Sequence, residues 1–242
     1  MSEVSKSVSK AATLLAALGL LSTPVMAAPK LPAATTANGV STQTAAAADA
    51  FPGLKAFLAM PAAQRSQVNI YYVLRIKHCN PALVHVALKA NGRTTPLTVA
   101  GDGRITPLPT AAQLANGATV TTTGPATCTV GMKIKVFSPQ GLKQDYDAVG
   151  LATGVRQGNA AMARIAGILA FGLPKLDRVT FAGVSDGTVT FTNGQTKALP
   201  ETSANGDYPA GTPYFVPTQM SGAVKIHLNG VPHAVMFDNP PK

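Results

Sequence analysis

Short runs of alternating apolar and polar residues, punctuated by glycine turns, set the architecture open to this chain. Asn69–Lys77 is one such run: Ile70, Tyr72, Leu74 and Ile76 are apolar, while Arg75 and Lys77 fall in the opposite phase. Successive side chains on a strand point to opposite faces, so the pattern predicts a half-buried strand. Residues 83–89 repeat it, with Val84, Val86 and Leu88 inward and His85 outward. So do residues 132–137, with Met132, Ile134 and Val136 inward and Lys133 and Lys135 outward. Asn91-Gly92, Asp102-Gly103, Asp186-Gly187, Asn193-Gly194 and Asn229-Gly230 supply the residue types that accept the positive φ angles of a tight hairpin. The expectation is a mainly β fold of small antiparallel domains, each sandwich-like or barrel-like.

Two helices are predicted among these strands. Leu54, Phe57 and Leu58 sit at helical spacing, giving a short helix near residues 52–60 with Pro52 in its first turn. A longer one is expected near 159–171, capped by Asn159, with Met162, Ile165, Ile168 and Leu169 on one stripe. Ser138-Pro139-Gln140-Gly141 reads as a boundary. The predicted organisation is therefore a first β domain over 51–140 and a helix with a second β domain over 141–242. Within the second, the segments around residues 178–199 read as a three-stranded meander with Val189 and Phe191 across from Thr196 and Ala198. Residues 28–50 are rich in Ala and Thr and poor in bulky apolar side chains, which predicts a flexible low-complexity linker.

The N-terminus has the layout of a cleavable signal peptide. Lys6 and Lys10 precede an eleven-residue apolar run at 11–21, and Val25-Met26-Ala27 offers small residues to a signal peptidase. Cleavage is expected after Ala27, with Ala28 as the alternative. Eleven residues span about 16 Å as a helix, short of a hydrocarbon core of about 30 Å. No cysteine stands just after the run, which argues against a lipid anchor. A periplasmic or secreted protein is the expectation. Without Lys6, Lys10 and Glu3 the chain keeps 18 basic and 9 acidic residues, a net charge of +9. Inside a cell that would suggest nucleic acid. Outside, the available polyanions are lipid headgroups, lipopolysaccharide and cell-wall polymers, so an envelope polyanion or another periplasmic protein is the expected partner, and nucleic acid is not.

Chemistry-bearing residues are few. Cys79 and Cys128 are the only cysteines, and in an oxidising compartment they predict a disulfide. The loop it closes would be worth about 4 kcal/mol in the chain-entropy model. His78 and His85 flank Cys79, but the spacing fits no zinc pattern, so neither a metal site nor a cofactor is expected. His227 and His233 flank Asn229-Gly230. A two-residue turn there pairs Ile226 with His233, which places the two imidazoles on opposite faces. Asp145 and Asp147 form the one close acid pair and are the candidate carboxylates of a hydrolase. No H-E-x-x-H helix, phosphate-binding P-loop or dinucleotide fingerprint is present, and no catalytic residue is singled out. One surface stands out. Arg75, Lys77, Lys133 and Lys135 occupy outward phases together with Tyr71 and Phe137, and would form a basic face with interleaved aromatics if the two strands are neighbours. The function expected first is a non-enzymatic binding or envelope-associated module. The alternatives are an anion-binding domain using the basic face and a hydrolase using Asp145 or Asp147.

Overall fold

The computed structural model describes residues 33–37, 39–101, 103–166, 175–203 and 208–239. In chain order the first half contains β1 (Ala33–Ala37), β2 (Val40–Ala46), α1 (Ala47–Ala50), α2 (Leu54–Leu58), β3 (Asn69–Lys77), β4 (His85–Ala90), β5 (Arg93–Val99), β6 (Ile105–Thr106), α3 (Ala111–Ala115), β7 (Thr119–Pro125) and β8 (Thr129–Phe137). The second half contains β9 (Asp145–Asp147), α4 (Ala148–Ala166), β10 (Arg178–Ala182), β11 (Gly187–Phe191), β12 (Thr196–Ala198), β13 (Tyr214–Phe215), β14 (Ala223–Leu228) and β15 (Ala234–Asp238). The fold is mainly β, and every described strand pair is antiparallel.

Three sheets result, with strand orders β1-β2-β7-β4-β5-β6, β13-β10-β15-β8-β3 and β12-β11-β14-β9. The second takes β3 and β8 from before residue 140 and β10, β13 and β15 from after it, and residues 32–242 cluster as one compact unit. The division expected at 140 therefore runs through a sheet rather than between two domains. The predicted linker is also corrected from residue 33 onward: β1 pairs with β2, β2 pairs with β7 over its whole length, and α1 follows directly. Small Ala, Ser and Thr side chains bury little area, but backbone pairing against β7 supplies the order that side-chain packing does not. Ala27 and Ala28 lie outside the described residues, as does Asp102.

Local chemistry explains the elements the alternation predicted. β4 and β5 meet as Ala90↔Arg93 around Asn91 (φ 50°) and Gly92 (φ 76°), a two-residue turn with both φ angles positive. In β3 the inward residues Ile70, Tyr72 and Leu74 are buried, and the Tyr72 hydroxyl donates to the Pro52 carbonyl at 2.6 Å. Phe51 meets that ring edge-on at 5.0 Å. α3 opens with a capping box in which Thr110 and Gln113 satisfy each other's backbone N–H groups.

Three expectations fail for non-local reasons. The long helix starts at Ala148, eleven residues before Asn159. Its cap is Asp147, whose carboxylate accepts from the backbone N–H of Val149 at 3.0 Å and Gly150 at 2.9 Å. Asn159 instead lies mid-helix and clasps Leu176 through both of its amide atoms; Ile168 and Leu169 of the predicted stripe fall outside the described residues. The meander does not form, since β10 joins the second sheet while β11 and β12 join the third. Between β11 and β12 the register is Val189↔Lys197 and Thr190↔Thr196, and Phe191 N–H donates to the Gln195 carbonyl. That leaves a three-residue loop, one more than the Asn193-Gly194 turn implied, and the extra residue flips the pairing of faces. Last, β14 and β15 belong to different sheets, so Asn229-Gly230 joins two sheets and Ile226 does not pair with His233.

Candidate functional site: a basic cleft on the five-stranded sheet

β3 and β8 are neighbours along their whole length, with Tyr71↔Lys135, Val73↔Lys133, Arg75↔Gly131 and Lys77↔Thr129 in register. Residues directly opposite share a face, so Arg75, Lys77, Lys133 and Lys135 all stand on the face turned away from Ile70, Tyr72 and Leu74. Arg75, Lys77 and Lys133 are exposed and Lys135 is half-buried. The face continues across β15, where Met236 lies beside Phe137, and across β10, where Thr180 lies beside Met236 and Ala182 beside Ala234.

A loop settles on one end of this face and makes it concave. Leu74 N–H donates to the Gly103 carbonyl at 2.8 Å, and Val73 bridges Arg104. Gly103 has φ 84°, and a Cβ there would lie 2.7 Å from the Leu74 carbonyl oxygen. Only glycine lets the loop come this close. The resulting cleft has a volume of about 490 Å³, walled by residues 99–101, Gly103, Arg104 and Pro81 on one side and by His233, Ala234 and Met236 on the other. Arg75, Arg104 and Lys135 reach it from three different elements. Tyr71 and Phe137 pack edge-to-face at 4.9 Å, and the Arg104 guanidinium lies over both rings at 5.7 and 5.8 Å. Lys135 lies 5.7 Å from the centre of the Tyr208 ring, whose hydroxyl donates to Asp238 at 2.5 Å. These stacks hold the cations against aromatic faces.

Of the residues expected from sequence, Arg75 and Lys135 line the cleft, and Lys77 and Lys133 share its face outside it. Arg104, His233 and Tyr208 were not anticipated. They come from a loop, a strand entry and a distant turn, and no local pattern connects them. Cys79 and Cys128 form the predicted disulfide, with Cα atoms 5.1 Å apart. His78 is exposed in the left-handed region (φ 64°) and His85 is exposed on β4. Among the described residues no group of three His, Cys, Asp or Glu side chains is placed to hold a metal ion.

The hydrolase carboxylates are otherwise engaged. Asp147 caps α4. Asp145 stands on β9, at the edge of the third sheet, where its Oδ1 lies 2.9 Å from both Lys225 Nζ and His227 Nδ1. Hydrogen bonds from Lys225 and then from His227 hold its carboxyl below the usual carboxylate range. Neither acid lines any of the four described clefts. Gly183-Val184-Ser185-Asp186-Gly187 has the G-x-S-x-G spacing of a nucleophile elbow. It connects two strands rather than a strand and a helix, and the described partner of the Ser185 hydroxyl is Asn229, which donates to it at 2.8 Å, rather than a histidine base to which it would donate. That is not the context in which the motif activates a serine. Comparison with protein-family models, curated proteins and solved structures yields no match for this chain.

Proposed function

We propose that this chain is a non-enzymatic binding module of the periplasmic or extracellular space that holds an anionic envelope component on the outer face of β3 and β8. The observation that carries the reading is the β3–β8 pairing, which gathers Arg75, Lys77, Lys133 and Lys135 on one face beside the cleft of Arg104 and His233. Basic residues gathered on one face raise the local concentration of anions. The compartment is supported by the disulfide, which fits an oxidising environment. It is also supported by the signal-like N-terminus, and no described helix is long and apolar enough to cross a membrane.

The test is salt-dependent retention of the exported protein on immobilised lipopolysaccharide and on an acidic cation-exchange matrix. Binding through several cations weakens steeply as salt rises. The Lys133→Glu/Lys135→Glu double variant should elute at clearly lower salt than wild type from both matrices. Elution at unchanged salt, with the variant folded by circular dichroism, sinks the reading. Loss of lipopolysaccharide binding in the wild type alone, with retention on the acidic matrix, would redirect it to an acidic protein partner.

A further inference from the structure

A second cleft lies on the third sheet and shares no residue with the basic one. Its floor is one face of the β11–β12 pair. Val189 stands directly opposite Lys197, so the two share a face, and Phe191 and Leu199, two residues further along each strand, fall in the same phase. Lys197 Nζ lies 5.6 Å from the centre of the Phe191 ring, as a shared face requires. Two turns form the lips, residues 192–195 between β11 and β12 and residues 219–221 ahead of β14. The lips are tied together, with Thr192 N–H donating to the Gly222 carbonyl at 2.9 Å. Each is also fixed from within: Gln195 N–H donates to Asn193 Oδ1 at 3.0 Å, and Met220 N–H to the Val216 carbonyl at 3.0 Å.

The lining is amide and hydroxyl rather than ionic. Thr192, Asn193, Gln195, Gln219 and Ser221 supply its uncharged polar side chains, and among the described residues Lys197 is the one charged group. Lys197 already rests against Phe191. Gln195 and Gln219 are exposed, and their side-chain amides have no hydrogen-bond partner among the described residues. The backbone at each lip is therefore set while the amides stay open to a ligand, which spares part of the ordering cost of binding. An anion would find a single cation here, and a cation no carboxylate. A purely apolar ligand would strip water from the amides with nothing to replace it. An amide carries both acceptor and donor, and so does every hydroxyl of a sugar. The C–H edges of a sugar ring are met by Met220 and Phe191, both half-buried. We infer that this cleft takes an uncharged oligosaccharide, with hydroxyls on the amides of Gln195 and Gln219 and ring carbons against Met220 and Phe191. The site goes beyond the anion-binding reading and does not depend on it. Its volume of about 660 Å³ lies within the range of about 300–1,000 Å³ typical of small-ligand sites.

Isothermal titration of the full exported protein with triacetylchitotriose, cellotriose and maltotriose at millimolar concentration tests the inference. The expected result is saturable one-to-one binding of at least one of the three, and the sugar that saturates assigns the glycan class. Because the ligand is uncharged, its affinity should not change between low and high salt. Cyclohexanol, a ring with one hydroxyl, should bind at least about tenfold more weakly, the scale of losing one or two hydrogen bonds. Gln219→Leu should weaken the sugar by about tenfold. Gln195→Leu should do the same, and because both side chains are exposed and outside the backbone bonds that hold the lips, at least one variant is expected to fold. Saturation by none of the three sugars, cyclohexanol binding as tightly as the sugar, or wild-type affinity in a folded glutamine variant overturns the inference. The two readings fail separately. Lys133→Glu/Lys135→Glu should bind the sugar as wild type does while eluting early from the acidic matrix. Sugar binding without salt-dependent retention overturns the anion reading alone, and retention without sugar binding overturns this one alone.

Discussion

Glycine 154 offers the sharpest test of the packing, because a single methyl group decides the sign. Gly150, Gly154 and Gly158 recur every four residues along α4 and lie on one face. In an exposed helix, Gly→Ala stabilises by about 0.5–1 kcal/mol. Here a Cβ on residue 154 would lie 2.2 Å from Phe237 Cζ and 2.6 Å from the Gln67 carbonyl oxygen. Carbon atoms pack at about 3.5–4.0 Å, so the ring or the helix must move by more than 1 Å. The ring is 3% exposed in the core. The Gln67 backbone is held by its N–H donating to Gln157 Oε1 at 2.8 Å. Overpacking of this kind costs about 1–3 kcal/mol, and contacts this short belong at the upper end. After the helix gain is subtracted, Gly154→Ala should lose about 2 kcal/mol.

Urea unfolding measures that directly, as a lower midpoint with an unchanged slope. For a chain of this length the melting temperature should fall by about 4–8 °C. Gly158→Ala is the internal control. Its closest contact, 2.8 Å, is to Leu176 Cδ1, the mobile end of a side chain, so its stability should stay within about 0.5 kcal/mol of wild type. Adding Phe237→Leu to Gly154→Ala should recover part of the loss, a coupling of about 1 kcal/mol. If Gly154→Ala is as stable as Gly158→Ala, the glycine face does not set the distance between α4 and β15.

Two further outcomes are expected. Thr180 is 1% exposed and, among the described residues, its hydroxyl has no hydrogen-bond partner; Thr180→Val removes an unsatisfied polar group of the same shape and should raise the urea-derived stability by about 1 kcal/mol, so a loss of stability would reveal a bond to that hydroxyl. Asp145 has a depressed folded-state pKa, first through Lys225 and then His227, so whatever stability it lends is present above the ordinary carboxylate range and lost as pH falls through the lowered value. NMR titration should show the Asp145 midpoint moving up in Lys225→Met, and an unmoved midpoint would contradict the pairing.

What the sequence disclosed is what neighbouring residues decide among themselves. β3 was legible in full because period-two alternation and half-burial are local, and the Asn91-Gly92 hairpin because its turn chemistry fits in two residues. α4 was misplaced because Asn159 offers an ordinary helix cap, whereas the helix starts eleven residues earlier in a stretch that holds Gly150, Gly154 and Gly158. Their reason lies in Phe237 and Gln67, far away in the chain. Residues 33–46 read as linker because they lack bulk, yet β2 among them pairs with β7, more than seventy residues distant. The sheet membership of β10, β14 and β15 is likewise a long-range choice among edges. The candidate site divides the same way. Arg75, Lys77, Lys133 and Lys135 followed from strand phase alone, whereas Arg104 and His233 join them only through loops that tertiary structure sets down beside β3 and β10.

The disulfide and the basic face are parts of one arrangement. Lys77↔Thr129 is the last pair of the β3–β8 ladder, and Cys79 and Cys128 join just beyond it. A one-residue slip of β8 would turn Lys133 and Lys135 inward and send Met132, Ile134 and Val136 to water. The burial of those residues already opposes such a slip, and the covalent tie at the open end of the ladder opposes fraying at the place where Arg75 enters the cleft. Gly131 stands opposite Arg75 with no atom within 4 Å of where a Cβ would be, so the face beside Arg75 is open there. Pro81, two residues past Cys79, is itself a cleft wall. The partner of the cysteine flanked by histidines is therefore Cys128, and what the bond secures is the end of the two strands that carry the basic residues.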